Sequence, residues 1–414
     1  MTKWIIVAVL TGVTCGIIGS LFKIGVGYAT NFRSSYNFIL FFLPLIGLLI
    51  GKIYHLAGTA GRNPNDIIEQ VQNGEGLIPR LIPAIFFATF LTHLGGGSAG
   101  EGAALQMGGT VGFTIGKWIK LDDKDLRTIT ITGIAAYFAA LFNTPVAATI
   151  FAMGVITVGV VYHVALLPSL AASIIAFKVS NIFGLTPKKF APEIPNLEVL
   201  TISKVIILSI LCAAVAVLLC KSIHLTRRFA EEKIPNEWIR VIAGSILIVI
   251  LSIVFSSGDY NGGGSEIISR ALQDGESISY AFLVKIIFTS ITLAVGFKGG
   301  EIVPSFFIGA TFGCTAGQLL GLPTEFAAAL GMVCVFCAAT NTPLASIFLS
   351  VELFGGEGII FFAIGCAFAY VLSGYNGLYS SQKILYSKLK AQYINVYANA
   401  HREGETTEAE KKHP

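Results

Sequence analysis

The segment Asn143-Thr144-Pro145-Val146-Ala147 recurs later in the chain as Asn341-Thr342-Pro343-Leu344-Ala345, and an Ile-Phe pair follows each copy. Upstream of each copy lies a glycine-rich segment with one acidic residue, Glu101 in the first half and Glu301 in the second. The acidic residue precedes the asparagine by 42 positions in the first half and by 40 in the second. Because two landmarks agree in order and spacing, the sequence predicts a duplicated architecture of two inverted-topology repeats.

The boundary between the repeats is predicted in the polar stretch 185–203, which contains three prolines. We expect a first transmembrane repeat over 1–190 and a second over 191–391. The remaining residues, 392–414, are polar and charged, and we expect a short cytoplasmic tail that is partly disordered.

The composition predicts an all-α polytopic membrane protein. Of 414 residues, 54% are hydrophobic and only 13% are charged, about half the charged fraction of a soluble domain. A membrane-spanning helix takes roughly 20 apolar residues, and several of the apolar runs here are shorter or are interrupted by glycine or proline, as in transporters built with broken helices. The apolar runs are 4–22, 38–53, 129–161, 205–219, 241–255, 283–295 and 361–372.

Several function classes lack their sequence signals. All seven cysteines lie in or beside apolar runs, where they suit packing, and their spacing predicts no metal site. No metalloprotease motif, phosphate loop or nucleic-acid signature occurs, and the six histidines do not cluster. We therefore expect no enzyme, no cofactor and no nucleic-acid partner. A cation-coupled solute carrier stays open as an alternative, which a sodium dependence of flux would reveal.

Glu101 and Glu301 are the strongest candidates for function. A carboxylate at the middle of a membrane helix costs about 2.5–3.5 kcal/mol, so each needs a reason for its position. Gly102-Ala103 after the first glutamate and Ile302-Val303 after the second can each begin a half-helix. Helix N-termini have amide groups without intrahelical partners and attract anions. Two such ends that meet near mid-membrane would form an anion site beside a carboxylate that can take up a proton.

Both glutamates also have plainer interpretations. Glu101 can serve as a helix cap, and Glu301 can serve as a cap or as an ion-pair partner of Lys298.

Residues 95–109 resemble the gating-glutamate motif of the CLC family of chloride channels and transporters. That motif has a Gly-Arg-Glu-Gly-Pro core followed by a Gln and a Gly pair; this chain has Gly100-Glu101-Gly102-Ala103, then Gln106 and Gly108-Gly109. Residues 299–304 are similar to the family's second anion-binding loop. The resemblance covers nearly the whole chain. It implies a CLC-type fold and a homodimer with one pore per subunit.

Further site residues follow from this resemblance. Tyr379, in Gly377-Leu378-Tyr379-Ser380, resembles the family's tyrosine whose hydroxyl caps the anion from the inside. The segment 61–65, with Asn63, is the best counterpart of the first anion loop, and Arg62 beside it has no assigned role.

The second half resembles the bacterial fluoride-exporting branch of the family, in the segments 296–309 and 340–343. Three departures from the chloride members stand out: Gly100 replaces the usual arginine, Ala103 replaces the usual proline, and Val155 stands where chloride/proton antiporters carry an inner glutamate. Glu301 is then the obvious substitute for the missing inner acid.

Fluoride is small and strongly hydrated, so its site needs many hydrogen-bond donors. Besides backbone amides, the candidates are the Tyr379 hydroxyl, the side-chain amides of Asn63 and Asn341, and the partly positive ring edges of Phe306 and Phe307. Each has an alternative: an interfacial tyrosine for Tyr379, helix capping for Asn341 and ordinary packing for the two phenylalanines.

The sequence thus predicts a proton-coupled antiporter that exports fluoride across the bacterial plasma membrane, with Glu101 as the gating and proton-carrying residue and Glu301 as an inner acid. The alternative is a chloride-selective channel or chloride/proton antiporter of the same family.

Overall fold

The computed structural model describes residues 2–74, 76–100, 103–186, 189–255 and 258–400. Glu101 and Gly102, two of the predicted site residues, lie outside them. The described residues form sixteen α-helices, three short 3-10 helices and three short strands. The helices of the first half are α1 (Thr2–Ser35), α2 (Leu43–Leu56), α3 (Asn65–Asn73), α4 (Leu81–Gly95), α5 (Ala104–Trp118), α6 (Asp123–Phe142), α7 (Pro145–Gly154) and α8 (Leu166–Ile182).

The second half repeats this order. Its helices are α9 (Val199–Lys233), α10 (Glu237–Val254), α11 (Ser265–Gln273), α12 (Ala281–Ala294), α13 (Ile302–Leu320), α14 (Thr324–Thr340), α15 (Pro343–Phe354) and α16 (Ile359–Leu372). Each lies close to 200 positions after its counterpart, and the unmatched link 183–198 overlaps the predicted boundary stretch 185–203.

The recurring Asn-Thr-Pro segments explain one shared break. Asn143 ends α6 and Asn341 ends α14, each in the left-handed conformation with φ of 58°, which asparagine tolerates better than most residues. The proline two residues later then opens the next helix, where its missing amide costs no hydrogen bond.

Counterpart helices run in opposite directions. In α2 and α10, a Cβ added at Gly47 would lie 2.4 Å from Val241, and one added at Gly51 would lie 2.9 Å from Trp238. The later residue of α2 thus faces the earlier residue of α10, so the two helices are antiparallel. Glu352 near the end of α15 likewise accepts hydrogen bonds from the amides of Val146 and Ala147 at the start of α7. The predicted inverted repeat is confirmed.

Seven helical spans are long and apolar enough to cross a membrane by length and composition within the described part of the chain. They are Lys3–Ser35, Asn37–Leu56, Asp123–Phe142, His163–Ile182, Val199–Lys233, Glu237–Val254 and Ile302–Leu320. Six more apolar helices, α4, α7, α12, α14, α15 and α16, are shorter. The protein is therefore a multi-pass membrane protein with broken helices.

The start of α1 marks one face of the protein. Lys3 contacts the carboxylate of Asp125, in a segment that also carries Lys117, Lys120 and Arg127. Because basic residues favour the cytoplasmic side, we assign this face to the cytoplasm and the end of α1 to the outside. From there the chain turns through Asn37–Phe42 into α2, which runs back toward the cytoplasmic face.

The C-terminal part differs from the expected tail. Residues 393–397 form a strand, β3 (Tyr393–Tyr397), which pairs antiparallel with β2 (Lys383–Tyr386). The strand β2 also pairs in parallel with β1 (Thr157–Val158) of the first half. The described part of the predicted tail 392–414 is thus folded onto the body of the protein.

Candidate anion and proton site

The two glycine-rich segments meet at the centre of the molecule. Gly100 and Gly300 form an isolated antiparallel bridge, in which each amide donates to the carbonyl of the other at 2.8 Å. A Cβ added at Gly100 would lie 2.7 Å from Val303 in the first turn of α13. The residues that directly precede Glu101 and Glu301 are therefore hydrogen-bonded partners.

Two helices begin beside this bridge. Ala103, which is 4% exposed, is the residue before α5, and Ile302 and Val303, both buried, begin α13. The amides of Ile302 and Val303 have no backbone acceptor among the described residues. Such amides at a helix start favour a negative charge, as the sequence predicted for this place.

Glu301 is buried, with 7% of its surface exposed. It occupies the position before α13, yet its side chain accepts no capping hydrogen bond from that helix. It forms no ion pair within 4.0 Å with any described residue, but it interacts electrostatically with Arg227 of α9 and with Lys298. The capping interpretation is not supported, and the interaction with Lys298 acts over a longer distance than an ion pair.

Arg227 was not singled out from the sequence. It lies near the end of α9 in a run of charged residues, and such a run is typical of a solvent-exposed helix end. With Lys298 and Tyr54 it lines a cavity of about 200 Å³, and the Lys298 ammonium lies 4.5 Å from the centre of the Tyr54 ring. Because Glu237 at the start of α10 also lines it, this inner cavity opens toward the cytoplasmic face.

Tyr379 is buried, with 2% of its surface exposed, which argues against an interfacial tyrosine. Its hydroxyl interacts electrostatically with Glu301, so these two predicted residues lie within electrostatic range of each other. The backbone around it is fixed, since the Leu378 amide donates to the carbonyl of Ala339 at 2.9 Å.

The first-half segment 61–73 reaches the Tyr379 segment through two residues that the sequence did not single out. Asn65 Oδ1 accepts a hydrogen bond from the Ser381 amide at 3.0 Å, and Glu69 Oε1 accepts one from the Ser381 hydroxyl at 2.5 Å. Both are polar residues of the short α3, and no sequence pattern around them predicts a partner more than 300 residues away.

Asn63 and Arg62 are engaged locally. Asn63 Oδ1 accepts from the Asn65 amide at 2.9 Å, which closes an Asx turn just before α3. Arg62 forms an ion pair with Asp66 at 2.9 Å. Asn63 also lines the inner cavity.

The side chain of Asn341 forms hydrogen bonds within the protein. Its amide nitrogen donates to Gln382 Oε1 at 2.9 Å and to the Asn376 carbonyl at 3.1 Å, and its oxygen accepts from Lys388 at 2.5 Å. Both polar ends are thus used within the protein, which argues against a direct anion contact. They do not cap α15, whose N-cap residue is Thr342.

Phe306 belongs to an aromatic cluster that joins the two halves. Its ring centre lies 5.7 Å from that of Phe142, nearly edge-on, and 5.2 Å from that of Phe336. Phe151 of the first half packs on Phe336 at 5.8 Å. Phe307 instead contacts Tyr260 and Lys285.

Gln106 is a donor that the sequence showed only as part of a motif. It lies in the first turn of α5, is 6% exposed, and its Nε2 is buried without a hydrogen-bond partner among the described residues. An unpartnered buried amide is costly, so this group is suited to an anion near the start of α5.

Val155, in the position of the chloride antiporters' inner glutamate, is fully buried. Its carbonyl accepts a hydrogen bond from the Gln382 side chain at 2.7 Å. No group of three or more His, Cys, Asp or Glu side chains among the described residues is placed to hold a metal ion.

Two inverted repeats, broken helices and a central carboxylate beside helix N-termini define a polytopic membrane transport protein. The chain matches the voltage gated chloride channel family over residues 42–374, and it belongs to that family.

Similar proteins come from both branches discussed above. A chloride/fluoride channel protein of Pseudomonas syringae pv. tomato is 33% identical, over 94% of this chain and 88% of its own length. An H(+)/Cl(-) exchange transporter of Vibrio vulnificus is 28% identical, over 84% of this chain and 81% of its own length.

Solved structures show the same fold. A CLC-type fluoride/proton antiporter superposes with a TM-score of 0.89 at 35% identity, over 92% of this chain and 98% of its own. A slow cyanobacterial Cl-/H+ antiporter superposes with a TM-score of 0.73 at 21% identity, over 90% of this chain and 94% of its own.

Proposed function

We propose that this protein is a proton-coupled fluoride antiporter that exports fluoride across the bacterial plasma membrane. The observation that carries the proposal is the hydrogen-bonded pair Gly100–Gly300, which joins the segments of the two glutamates at the starts of α5 and α13. The similarity to a fluoride/proton antiporter across nearly the whole chain supports the choice of ions.

In the proposed cycle, fluoride binds between the two helix starts and the Tyr379 hydroxyl. The backbone amides near Gly102, Ala103, Ile302 and Val303 supply donors, and Phe306 closes one side with its aromatic cluster. Asn63 lies along the inner approach, and Asn341 contributes by holding the Tyr379 segment through Gln382.

Glu101 supplies the proton coupling in this proposal. As a carboxylate it competes with fluoride for the helix N-termini, and when protonated it leaves them, because these ends favour negative charge. Inward proton movement is thereby exchanged for outward fluoride movement. Glu301, with Arg227 and Lys298 beside the inner cavity, passes the proton or the anion toward the cytoplasm.

The test is fluoride efflux from reconstituted vesicles with simultaneous recording of pH. We expect fluoride release to be accompanied by proton uptake, and we expect Glu101→Gln to abolish the proton movement. Proton flux that survives unchanged in this variant would contradict the assignment of Glu101.

The same assay distinguishes fluoride transport from chloride transport. The name of the Pseudomonas relative includes chloride as well as fluoride, so chloride is a second candidate ion. Vesicles loaded with chloride should release it much more slowly than fluoride; equal or faster release of chloride would identify a chloride channel or a chloride/proton antiporter instead.

We further propose that the protein forms a homodimer with one pore per subunit, as the family resemblance implies. Helices α8 and α16 expose apolar side chains, among them Leu167, Ile174 and Phe368, which suit a second copy or lipid.

A further inference from the structure

Arg33 is a buried arginine in the last turn of α1, at the outer face. It is 8% exposed, and its Nε is buried without a hydrogen-bond partner in the described part of the chain. No Asp or Glu of the described residues lies within 4.0 Å of it. Removing one partner of a buried charge pair is strongly destabilising. Arg33 lacks a carboxylate partner among the described residues and lines a cavity, so an anion in that cavity would compensate its charge.

Two more basic groups lie nearby. Lys285 of α12 is fully buried, and its ammonium donates to the carbonyls of Tyr260 at 3.0 Å and Gly262 at 2.6 Å. His93 of α4 is 1% exposed, and its Nε2 has no partner among the described residues. Both interact electrostatically with Arg33. The two carbonyls accept two of the three ammonium protons, and the Phe307 ring centre lies 5.0 Å from Nζ, but no carboxylate of the described residues forms an ion pair with Lys285.

A cavity of about 620 Å³ lies in front of Arg33 and is lined by the end of α1 and by residues of the segment 258–267. Two glycines lie against the guanidinium: a Cβ added at Gly258 would lie 3.6 Å from Nη1, and one added at Gly262 would lie 4.0 Å from Nη2, both at ordinary van der Waals distance. Asp259 and Glu266 also line the cavity, but neither pairs with Arg33.

The cavity is connected to the central site by hydrogen bonds. Asn261 Nδ2 donates to the carbonyl of Gly96 at 2.5 Å, and the Gly262 amide donates to the carbonyl of Gly97 at 2.9 Å. Gly96 and Gly97 begin the segment that continues to the Gly100–Gly300 bridge. A charge in the cavity therefore lies beside the loop that leads to Glu101.

We propose that this cavity is an outer anion-binding site, in which the Arg33 guanidinium binds a halide ion and Lys285 strengthens the local positive potential. The proposal rests on the proposed function, since it gives the exported anion a second position after the central site. An anion held there from outside opposes the exit of the next one by charge repulsion.

Anomalous diffraction tests the site without any transport. Crystals grown in bromide should show an anomalous peak beside the Arg33 guanidinium in the wild type, and this peak should vanish in Arg33→Gln. A wild-type cavity that is empty, or that is filled by a lipid phosphate, overturns the proposal.

Transport gives a second test. Fluoride efflux is measured while external fluoride replaces gluconate at constant ionic strength. We expect Arg33→Gln to raise the external fluoride concentration for half-inhibition by about tenfold, because hydrogen bonds to a charged group contribute on that order. Arg33→Lys should retain part of the effect. The matched control is Arg270→Gln, which removes an exposed cation from α11 outside this cavity.

A second substitution tests the site with Arg33 in place, in case Arg33→Gln misfolds. Ser34 is exposed and lines the cavity, so Ser34→Glu adds a negative charge there, and Ser34→Gln controls for size. Ser34→Glu should raise the half-inhibitory concentration, and Ser34→Gln should not. Equal half-inhibition in all variants and the wild type overturns the site. A protein that carries no fluoride at all refutes the proposed function instead, while the bromide peak still decides the site.

Discussion

Glu301 illustrates how a single side chain acquires a role from its surroundings. Its carboxylate is buried beside a helix start and interacts with Tyr379 and Arg227 from two distant parts of the chain and with Lys298 of its own segment. A carboxylate among such groups can exist charged or protonated, depending on whether an anion is present. This arrangement suits an acid that exchanges a proton during transport.

We therefore expect Glu301→Gln to lower proton-coupled fluoride efflux about tenfold or more, the scale of losing a positioned proton-transfer group. The measurement is fluoride release with pH recording in vesicles. Glu231→Gln is the matched control, since Glu231 is an exposed acid that lines the inner cavity. Equal losses in the two variants would indicate a general effect of charge, and an unchanged rate in Glu301→Gln would exclude a proton-transfer role.

The sequence identified functional residues only where their immediate sequence neighbours made them unusual. Glu301 stood out because an acid in an apolar glycine-rich segment is unusual. The environment of Asn341 could not be predicted, because its partners Gln382 and Lys388 lie 41 and 47 positions away in the sequence. Gln106 and Arg227 were equally hard to predict, because Gln106 is distinguished by its burial and Arg227 by its place in the lining of the inner cavity, and neither feature is visible in the composition.

At the scale of elements, glycine lets the central helix pairs pack at backbone contact. Gly108 and Gly112 of α5 face Gly133 of α6, and Gly309 and Gly313 of α13 face Gly331 of α14. A Cβ at Gly133 would lie 2.2 Å from the carbonyl oxygen of Gly108, and one at Gly331 would lie 2.3 Å from that of Gly309. Small residues at every fourth position are typical of close helix pairs in membranes.

Gly133→Ala should destabilise the protein by about 1–3 kcal/mol or more, because overpacking forces the two backbones apart. The measurement is the thermal stability of purified protein in detergent. Gly154→Ala is the control, since a Cβ there meets nothing within 4 Å and alanine favours a helix. Similar melting temperatures for the two variants would show that α5 and α6 are free to separate.

The helices themselves were largely predictable, and the strands were not. Apolar runs interrupted by glycine and proline indicated short, broken helices, and the recurring Asn-Thr-Pro segments marked two of the breaks. The strand β1 has only two residues, and its partner β2 lies more than 220 residues away. No local pattern identifies pairing of that kind.

At the scale of the whole molecule, the duplication brings the two halves together at one point. The matched landmarks of the sequence predicted that Glu101 and Glu301 belong to equivalent segments, and the Gly100–Gly300 bridge joins these segments directly. The sequence could not predict what fixes the third side of the site, the Tyr379 segment, because its support comes from residues that read as a polar tail.

That support consists of backbone and side-chain hydrogen bonds. The Ala398 amide donates to the carbonyl of Gln382 at 2.8 Å. Asn399 holds Gly377 from both sides: its oxygen accepts from the Gly377 amide at 3.1 Å, and its nitrogen donates to the Gly377 carbonyl at 2.9 Å. Residues 377 and 382 flank Tyr379, so β3 and the residues after it hold the tyrosine in place.

A chain that stops after residue 391 should therefore lose fluoride transport, because the Tyr379 segment loses β3 and both contacts of Asn399. A chain that stops after residue 400 is the control, since it removes only 401–414, a polar segment without large apolar side chains. Both are measured by fluoride efflux, with size-exclusion chromatography to confirm that each remains soluble in detergent as a single species. If the shorter chain transports fluoride at the rate of the longer one, the tyrosine does not depend on β3 for its position.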